Sequence, residues 1–154
     1  VDITGKNIRL GISLSGLYKK LATYPVKGAY VFLDACFSGG YKSAAPLLAQ
    51  KGVRVVPKVG LPQGNTLSFS SSSGDQTSSV YHEKKQGYYT YFLIKTIRDA
   101  KGNLSMKELF ERTSVAVKRA TALIDKIQEP QCMVSPTWVG WENIKLETPV
   151  TEIP

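Results

Sequence analysis

The sequence predicts an α/β fold: a mainly parallel sheet flanked by helices on both faces, of which this chain supplies only part. Two observations predict it. Short β-rich runs alternate with helical patterns along the chain. One of those runs, Tyr30-Val31-Phe32-Leu33, is apolar without a break, which is typical of a central parallel strand buried on both faces. The recognisable strands are too few to complete such a sheet, so we expect the rest to come from an N-terminal part of the protein.

The first half of the chain predicts one helix and one clear strand. A helix is expected over residues 13–24, because Ser13 is a suitable N-cap, leucines share one face and a proline closes the segment. The apolar strand follows at about residues 29–33. Residues 41–50 fit either a turn of helix or a loop, and residues 52–56 are a weak strand candidate before a stretch rich in proline and glycine.

The middle of the chain predicts a strand, a loop and a helix. The strand is expected over residues 66–70, and the run of serines after it has the composition of a polar, mobile loop. A serine nucleophile in that loop would lack an acid–base partner in motif spacing. The helix is expected over residues 87–100, with Gly102 as its stop signal. Its aromatic residues fit core packing better than a stacking surface for a ligand.

The clearest helix signal begins at the capping box Ser105-Met106-Lys107-Glu108 and is expected to end at Pro130. Its apolar residues form one stripe: Met106, Leu109, Phe110, Val117, Ala120, Ile124 and Ile127. We therefore divide the chain into residues 1–130, the body of the domain, and residues 131–154, a tail that docks its two tryptophans on the body and frays at its end.

Composition favours a folded single domain and excludes several classes of partner. The chain has 154 residues, 42% of them hydrophobic and 21% charged, which argues against disorder. Its net charge of +8 is scattered, so we expect no nucleic-acid binding but a basic surface facing solvent, an acidic partner or the N-terminal part. No stretch approaches the roughly 20 apolar residues of a membrane span, and no secretory signal is visible, which leaves the compartment open.

Cysteine and histidine are scarce, and this limits the possible chemistry. Two cysteines and one histidine supply too few ligands for a metal site, and we expect no cofactor. Cys132 is interpreted as a packing thiol. Cys36 lies where the apolar strand ends, followed by Gly39-Gly40, which leave room for a substrate backbone at the edge where ligands usually bind. From this local pattern alone, a buried structural thiol is an equally good interpretation.

The segment Asp34-Ala35-Cys36-Phe37-Ser38-Gly39, directly after a hydrophobic strand, resembles the nucleophile motif of the caspase-like cysteine peptidases. It is closer to metacaspases and bacterial caspase-like proteins than to animal caspases, whose motif has glutamine two residues before the cysteine. Residues 67–78 and 83–93 resemble the next strand and loop of the family and its following loop and helix, in the same order. The resemblance covers roughly residues 12–127 and implies the C-terminal portion of a caspase-like catalytic domain.

The resemblance implies that Cys36 is the nucleophile, that its backbone N–H is an oxyanion donor, and that a histidine about 50 residues upstream is the base. Only 35 residues precede Cys36, and none is histidine. The sole histidine, His82, lies 46 residues downstream in a polar stretch and is expected to be solvated, because a rearranged pair would contradict the motif order. We therefore expect the base on an N-terminal segment of the same precursor, either cleaved and still bound or absent.

Two acids carry the expected substrate specificity. Asp34 lies two residues before Cys36 and hence on the same side of the strand. The resemblance to metacaspases implies that Asp34 lines the S1 pocket and that Asp75 is its second acid, so that together they hold a substrate Arg or Lys. The alternatives are that Asp34 caps a turn and Asp75 is a solvated loop acid. We expect a cysteine endopeptidase that cleaves after Arg or Lys and is activated by self-cleavage at its own basic loops.

Two other functions stay open on the sequence. A non-catalytic binding or regulatory module would keep Cys36 and the acidic pocket without the histidine, and an upstream Gly-His-Gly-like motif in the full-length gene product would argue against it. An unrelated thiol enzyme, such as an acyl transferase, would keep the nucleophile without the acidic pocket.

Overall fold

The computed structural model describes residues 12–35, 60–73 and 76–146. Within them the strands are β1 (Ala29–Leu33), β2 (Thr66–Ser70), β3 (Val80–Tyr81), β4 (Gln86–Gly87) and β5 (Gln131–Val134), and the helices are α1 (Leu14–Ala22), α2 (Tyr88–Asp99) and α3 (Met106–Ala122). Short 3-10 turns span His82–Lys84 and Trp141–Asn143. The sequence interpretations for residues 41–56 lie outside the described residues.

The main sheet of the described residues has the order β1-β2-β5. β1 pairs with β2 in parallel, with Ala29 opposite Thr66 and Leu33 opposite Ser70. β2 pairs with β5 in antiparallel, and β3 and β4 form a separate small hairpin. The chain is therefore α/β, as predicted, and its described sheet is mixed.

Helices contact both faces of β2. Leu67 and Phe69 point to one face, where a buried apolar cluster forms with residues of α2 and α3. Side chains alternate along a strand, so Ser68 lies on the other face, where its hydroxyl accepts a hydrogen bond of 2.9 Å from the fully buried Tyr18 of α1. β2, buried at every position, is the centre of the described fold.

β1 differs from the prediction of burial on both faces. Tyr30 and Phe32 are 37% and 40% exposed, although the Phe32 ring packs edge-on against Phe69 at 5.5 Å. The strand pattern is partly exposed at Ala29, Val31 and Leu33 and exposed at Tyr30 and Phe32, so the described residues cover both faces only in part. The prediction of burial on both faces is wrong for this arrangement.

The caps that begin α1 and α3 are those that the sequence predicts. Ser13 accepts a hydrogen bond of 3.1 Å from the Gly16 N–H at the start of α1. At α3 the Ser105 hydroxyl accepts from the Glu108 N–H at 3.2 Å, and the Glu108 carboxylate accepts from the Ser105 N–H at 2.8 Å, which completes the capping box. At the end of α2, Gly102 adopts φ 69° and its N–H donates to the Ile97 carbonyl at 2.9 Å, confirming the stop signal.

α3 ends earlier than predicted, at Ala122 instead of Pro130. Asp125 adopts a left-handed conformation with φ 54°, and the Lys126 N–H closes back on the Thr121 carbonyl at 3.0 Å, which terminates the helix. Ile127 is consequently 76% exposed and contributes nothing to the predicted apolar stripe.

The residues after Pro130 continue into the body of the domain. β5 completes the described sheet, and the Ser135 N–H donates to the Thr66 carbonyl at 3.0 Å. Trp138 is 9% exposed, and Cys132 is a half-buried thiol packed against the apolar cluster, as predicted. No helix in the described part of the chain is long and apolar enough to cross a membrane.

Candidate active site

Asp34 is the described member of the predicted site residues, and Cys36 and Asp75 lie outside the described residues. Asp34 directly follows β1, at the carboxyl end of a parallel strand, where ligands usually bind in such sheets. Its surroundings are therefore the part of the site that the structure defines: the start of α2 on one side and the loop after β2 on the other.

Asp34 caps helix α2 from a distant part of the sequence. Its Oδ2 accepts hydrogen bonds from the Thr90 N–H at 3.3 Å and the Thr90 hydroxyl at 2.6 Å. The N-cap residue of α2 is Gly87, which has no side chain to satisfy the free N–H groups of the first turn. Asp34 supplies that acceptor, and its negative charge lies at the positive end of the helix dipole.

Gly87 makes room for this carboxylate. A methyl group at Gly87 would overlap Asp34 Oδ2 and lie 3.0 Å from its Cγ. The backbone of Gly87, with φ −69° and ψ 149°, is one that any residue can adopt. The absence of a side chain at Gly87 therefore leaves the space that Asp34 occupies, whereas the conformational freedom of glycine is not needed here.

Asp34 keeps acceptor capacity toward solvent. The residue is exposed, and its contacts with Thr90 use Oδ2. No ion pair between described residues involves it. A carboxylate offers about four lone-pair positions, so Oδ1 remains able to accept from a cationic group of a ligand.

Two serines of the loop after β2 hold the carbonyl of Ala35, the residue just before Cys36. The hydroxyls of Ser71 and Ser78 each lie 3.3 Å from the Ala35 carbonyl oxygen and hydrogen-bond to each other. The Ser71 N–H also donates to the Leu33 carbonyl at 2.8 Å. Through these contacts the end of β1 is fixed to the loop that carries Asp75.

The run of serines, predicted to be a polar, mobile loop, is buried at Ser71 and Ser72. Ser71 and Ser72 are 0% and 1% exposed. Their burial is compatible with their polarity because each hydroxyl finds an acceptor or a neighbouring hydroxyl within 3.5 Å. Composition alone indicated solvent exposure, whereas the tertiary hydrogen bonds make this segment part of the interior.

A second set of contacts ties the loop to the residues that follow α3. The side-chain amide of Gln128, 1% exposed, donates to the Ser71 carbonyl at 3.0 Å and accepts from the Ser79 N–H at 2.8 Å. Gln76 accepts from the Glu129 N–H at 2.7 Å through its Oε1, and its Nε2 lies 3.3 Å from Glu129 Oε2. We call Gln128 and Glu129 the clasp, because together they hold both ends of the segment containing Asp75.

Tyr89 of α2 belongs to the buried apolar cluster, as predicted, while its aromatic neighbours pack on one another. Tyr81 stacks on Tyr88 with ring centroids 4.5 Å apart and an angle of 2°, and Tyr91 meets Tyr81 edge-on at 5.2 Å. The Lys84 ammonium lies 5.8 Å from the Tyr91 ring centroid. These contacts fix the β3–β4 hairpin against α2, next to the Asp34 cap.

His82 lies in the exposed 3-10 turn of the hairpin, as predicted for a solvated residue. Within the described part of the chain, no group of three or more His, Cys, Asp or Glu side chains is arranged to hold a metal ion.

Sequence reasoning did not identify the serine pair, the clasp or the role of Gly87. Serine, glutamine and glycine are common in loops, and nothing in their spacing relates Ser71 to Gln128, 57 positions later. Asp34 did carry a signal in the sequence, because its place at the end of a strand predicted that it lies near the site.

Comparison with known protein families agrees with the motif at β1. The family model described as caspase domain matches residues 5–138, which is most of the chain. Neither the curated proteins nor the solved structures gave a match. The matched range includes Asp34, Cys36, the serine pair and the clasp. The chain therefore belongs to the caspase-like cysteine peptidase family.

Proposed function

We propose that this chain is part of a cysteine endopeptidase that cleaves peptide bonds after Arg or Lys, with Cys36 as nucleophile. The observation that carries the proposal is the Asp34 carboxylate. It is exposed, held in place by Thr90 and located two residues before Cys36 at the carboxyl end of β1. A fixed carboxylate with an open oxygen is suited to a guanidinium or ammonium group.

Asp75 would supply the second acid of this S1 pocket. Its neighbours Ser72 and Gln76 are joined by a hydrogen bond of 3.4 Å, and Gln76 is held by the clasp. The loop is therefore anchored on both sides of Asp75. Two acids in one partly desolvated pocket would favour a bidentate Arg or a Lys.

The proposed chemistry follows acyl transfer. The histidine imidazole takes the thiol proton of Cys36 and becomes an imidazolium. The resulting thiolate attacks the scissile carbonyl carbon, and the carbonyl π electrons move to the oxygen, which is stabilised by backbone N–H donors. Collapse of this intermediate breaks the C–N bond, and the amine leaves with a proton from the imidazolium. A water molecule, deprotonated by the same imidazole, then hydrolyses the thioester and releases the acid product and the thiol.

The imidazole would come from an N-terminal segment of the same precursor. The edge of β1 that faces away from β2 has no strand neighbour among the described residues. Tyr30 and Phe32 of the same strand are partly exposed. A strand of the N-terminal segment pairing there in parallel would cover these rings and extend the sheet toward the mainly parallel form. Self-activation would then proceed by cleavage at a basic loop between the N-terminal segment and this chain. After cleavage the two polypeptides would stay associated.

The substrate preference is tested with Asp34→Asn and Thr90→Val in the full-length protein. Asp34→Asn removes the charge but keeps an acceptor for Thr90, so we expect kcat/KM for Arg and Lys substrates to fall about 10- to 100-fold, as for the loss of a charge-assisted hydrogen bond. Thr90→Val keeps the charge and removes the 2.6 Å bond, so the preference for basic P1 residues should remain. Unchanged kinetics in Asp34→Asn would refute the pocket.

Catalysis itself is tested by intact-mass spectrometry after treatment with a lysine-directed acyloxymethyl ketone and with its aspartate analogue. A lysine-type adduct on Cys36 is the expected result. An aspartate-type adduct would refute the basic pocket but would still support a cysteine peptidase. The absence of any adduct on the full-length protein would indicate the non-catalytic binding module.

A further inference from the structure

We propose that Ser71, Ser78 and Gln128 are positioning residues that orient the backbone N–H of Cys36 toward the oxyanion. The inference rests on the proposed peptidase function and adds three residues that do not touch the substrate. It starts from the Ala35 carbonyl, which two buried hydroxyls approach at 3.3 Å.

The peptide bond transmits this contact to the reacting position. The Ala35 carbonyl and the Cys36 N–H belong to one planar unit, and in a trans peptide they point in opposite directions. Fixing the direction of the carbonyl therefore fixes the direction of the N–H. An oxyanion donor is effective only when it already points at the place where negative charge develops. The direction of the Ala35 carbonyl therefore affects catalysis.

The two hydroxyls act as a pair. Each serine has one hydroxyl proton, and Ser71 and Ser78 hydrogen-bond to each other as well as to the carbonyl. Two hydroxyl protons cannot serve all three of these contacts at once, so at least one of the two hydroxyls is available to donate to Ala35 when the other donates elsewhere. Loss of one serine leaves the other as a donor, whereas loss of both leaves the carbonyl without either contact.

Gln128 connects the two backbone segments that carry Ser71 and Ser78. It donates to the Ser71 carbonyl and accepts from the Ser79 N–H, so one planar amide bridges the backbone at Ser71 and the peptide bond that follows Ser78. Both Nε2 and Oε1 of this amide make a hydrogen bond, and the residue is 1% exposed, which shields these bonds from competing water. The direction of the Ala35 carbonyl thus depends on a residue that follows α3.

The test compares Ser71→Ala, Ser78→Ala, the double variant and Gln128→Glu in the full-length protein. Gln128→Glu keeps the shape, but its carboxylate cannot donate to the Ser71 carbonyl. The matched control is Thr113→Val, because the Thr113 hydroxyl is buried and has no hydrogen-bond partner within the described residues. Each variant is measured for kcat and KM on an Arg substrate, for melting temperature, and for the rate at which iodoacetamide alkylates Cys36.

We expect each single serine variant to lower kcat about five-fold, the equivalent of one ordinary hydrogen bond. The double variant should lower it by at least about 30-fold, approaching the loss of an oxyanion donor. KM should stay within about two-fold, and so should alkylation by iodoacetamide, because displacement at a saturated carbon develops no oxyanion. Thr113→Val should match the wild type in kcat, KM and alkylation, with an equal or higher melting temperature because the hydroxyl that it removes is buried and unsatisfied.

The outcomes separate this inference from the proposed function. A wild-type protein that cleaves basic substrates, with kcat unchanged in the double variant, overturns the inference alone. Equal losses of hydrolysis and alkylation would also overturn it, because they indicate general damage to the site. A wild-type protein that cleaves no peptide overturns the proposed function, and the inference with it. If the double variant fails to fold, the single serine variants decide by the same criteria.

Discussion

The Asp34 carboxylate lies directly against the Cα of Gly87, with no space for a methyl group between them. The two residues are 53 positions apart and belong to different elements, the end of β1 and the N-cap of α2. The Asp34 carboxylate is both the cap of α2 and the proposed specificity residue. The first turn of α2 holds the carboxylate in place, and the carboxylate stabilises that turn.

Gly87→Ala should displace Asp34 without changing its charge. The new methyl would overlap Oδ2, and the carboxylate would have to leave the Thr90 N–H and hydroxyl. We expect kcat/KM for Arg and Lys substrates to fall about 10-fold and stability to fall by about 1 kcal/mol, as for the loss of a helix cap. Enzyme kinetics and urea unfolding of the full-length protein measure the two effects.

Gly60→Ala is the matched control for this substitution. A Cβ there would meet Ser15 Cβ at 3.3 Å, a contact that a small shift relieves. It should leave the kinetics as in the wild type. If Gly87→Ala also keeps its preference for basic P1 residues, Asp34 does not determine specificity in the position described.

The Cys132 thiol should make stability sensitive to alkaline pH. Burial first, and the Glu142 carboxylate second, raise its pKa to about 11 from the ordinary 9.0. Because the folded protein favours the protonated thiol, the stabilisation is complete below pH 9 and is lost as pH rises from about 9 to 11. Cys132→Val, which removes the titrating group from β5, should therefore lose less stability than the wild type between pH 8 and 10.5 in urea unfolding. Parallel losses in the two proteins would contradict this assignment.

Tyr89→Phe should be neutral or stabilising. The Tyr89 side chain is 2% exposed, and its hydroxyl has no hydrogen-bond partner within the described residues. Burial, followed by the charges of Asp34 and Cys132, raises the pKa of this hydroxyl above its usual 10.0. Removing an unsatisfied buried hydroxyl eliminates a desolvation cost of about 1–3 kcal/mol, so we expect an equal or higher melting temperature.

Tyr18→Phe provides the contrasting variant. Tyr18 is equally buried, but its hydroxyl donates to Ser68 at 2.9 Å. The substitution leaves Ser68 without that partner and should cost about 1–2 kcal/mol. If both variants lose stability equally, Tyr89 has a partner that the structure does not describe.

The elements with local signals could be predicted from the sequence. The α3 capping box is formed by residues three positions apart, so its pattern is visible in the chain and its geometry follows. The position of Asp34 at a strand end was predictable for the same reason. The end of α3 was not, because continued apolar periodicity favoured helix, whereas the left-handed Asp125 closes the last turn.

The interior of the site depends on contacts that have no local signal. A run of serines has the same composition in a mobile loop and in a buried one, and only the Gln128 amide and the Ala35 carbonyl distinguish the two cases. Gly87 carries no indication in the sequence that a carboxylate occupies the space beside it. Such roles are set by which side chains meet after folding.

The clasp also determines when this segment can take its final form. Its hydrogen bonds join residues 49, 53 and 57 positions apart, and two helices, α2 and α3, lie between them. During synthesis the cysteine and the serine loop leave the ribosome well before Gln128 does. Because contacts this distant in sequence form late in folding, a nascent chain carries its thiol before it can order the loop beside it.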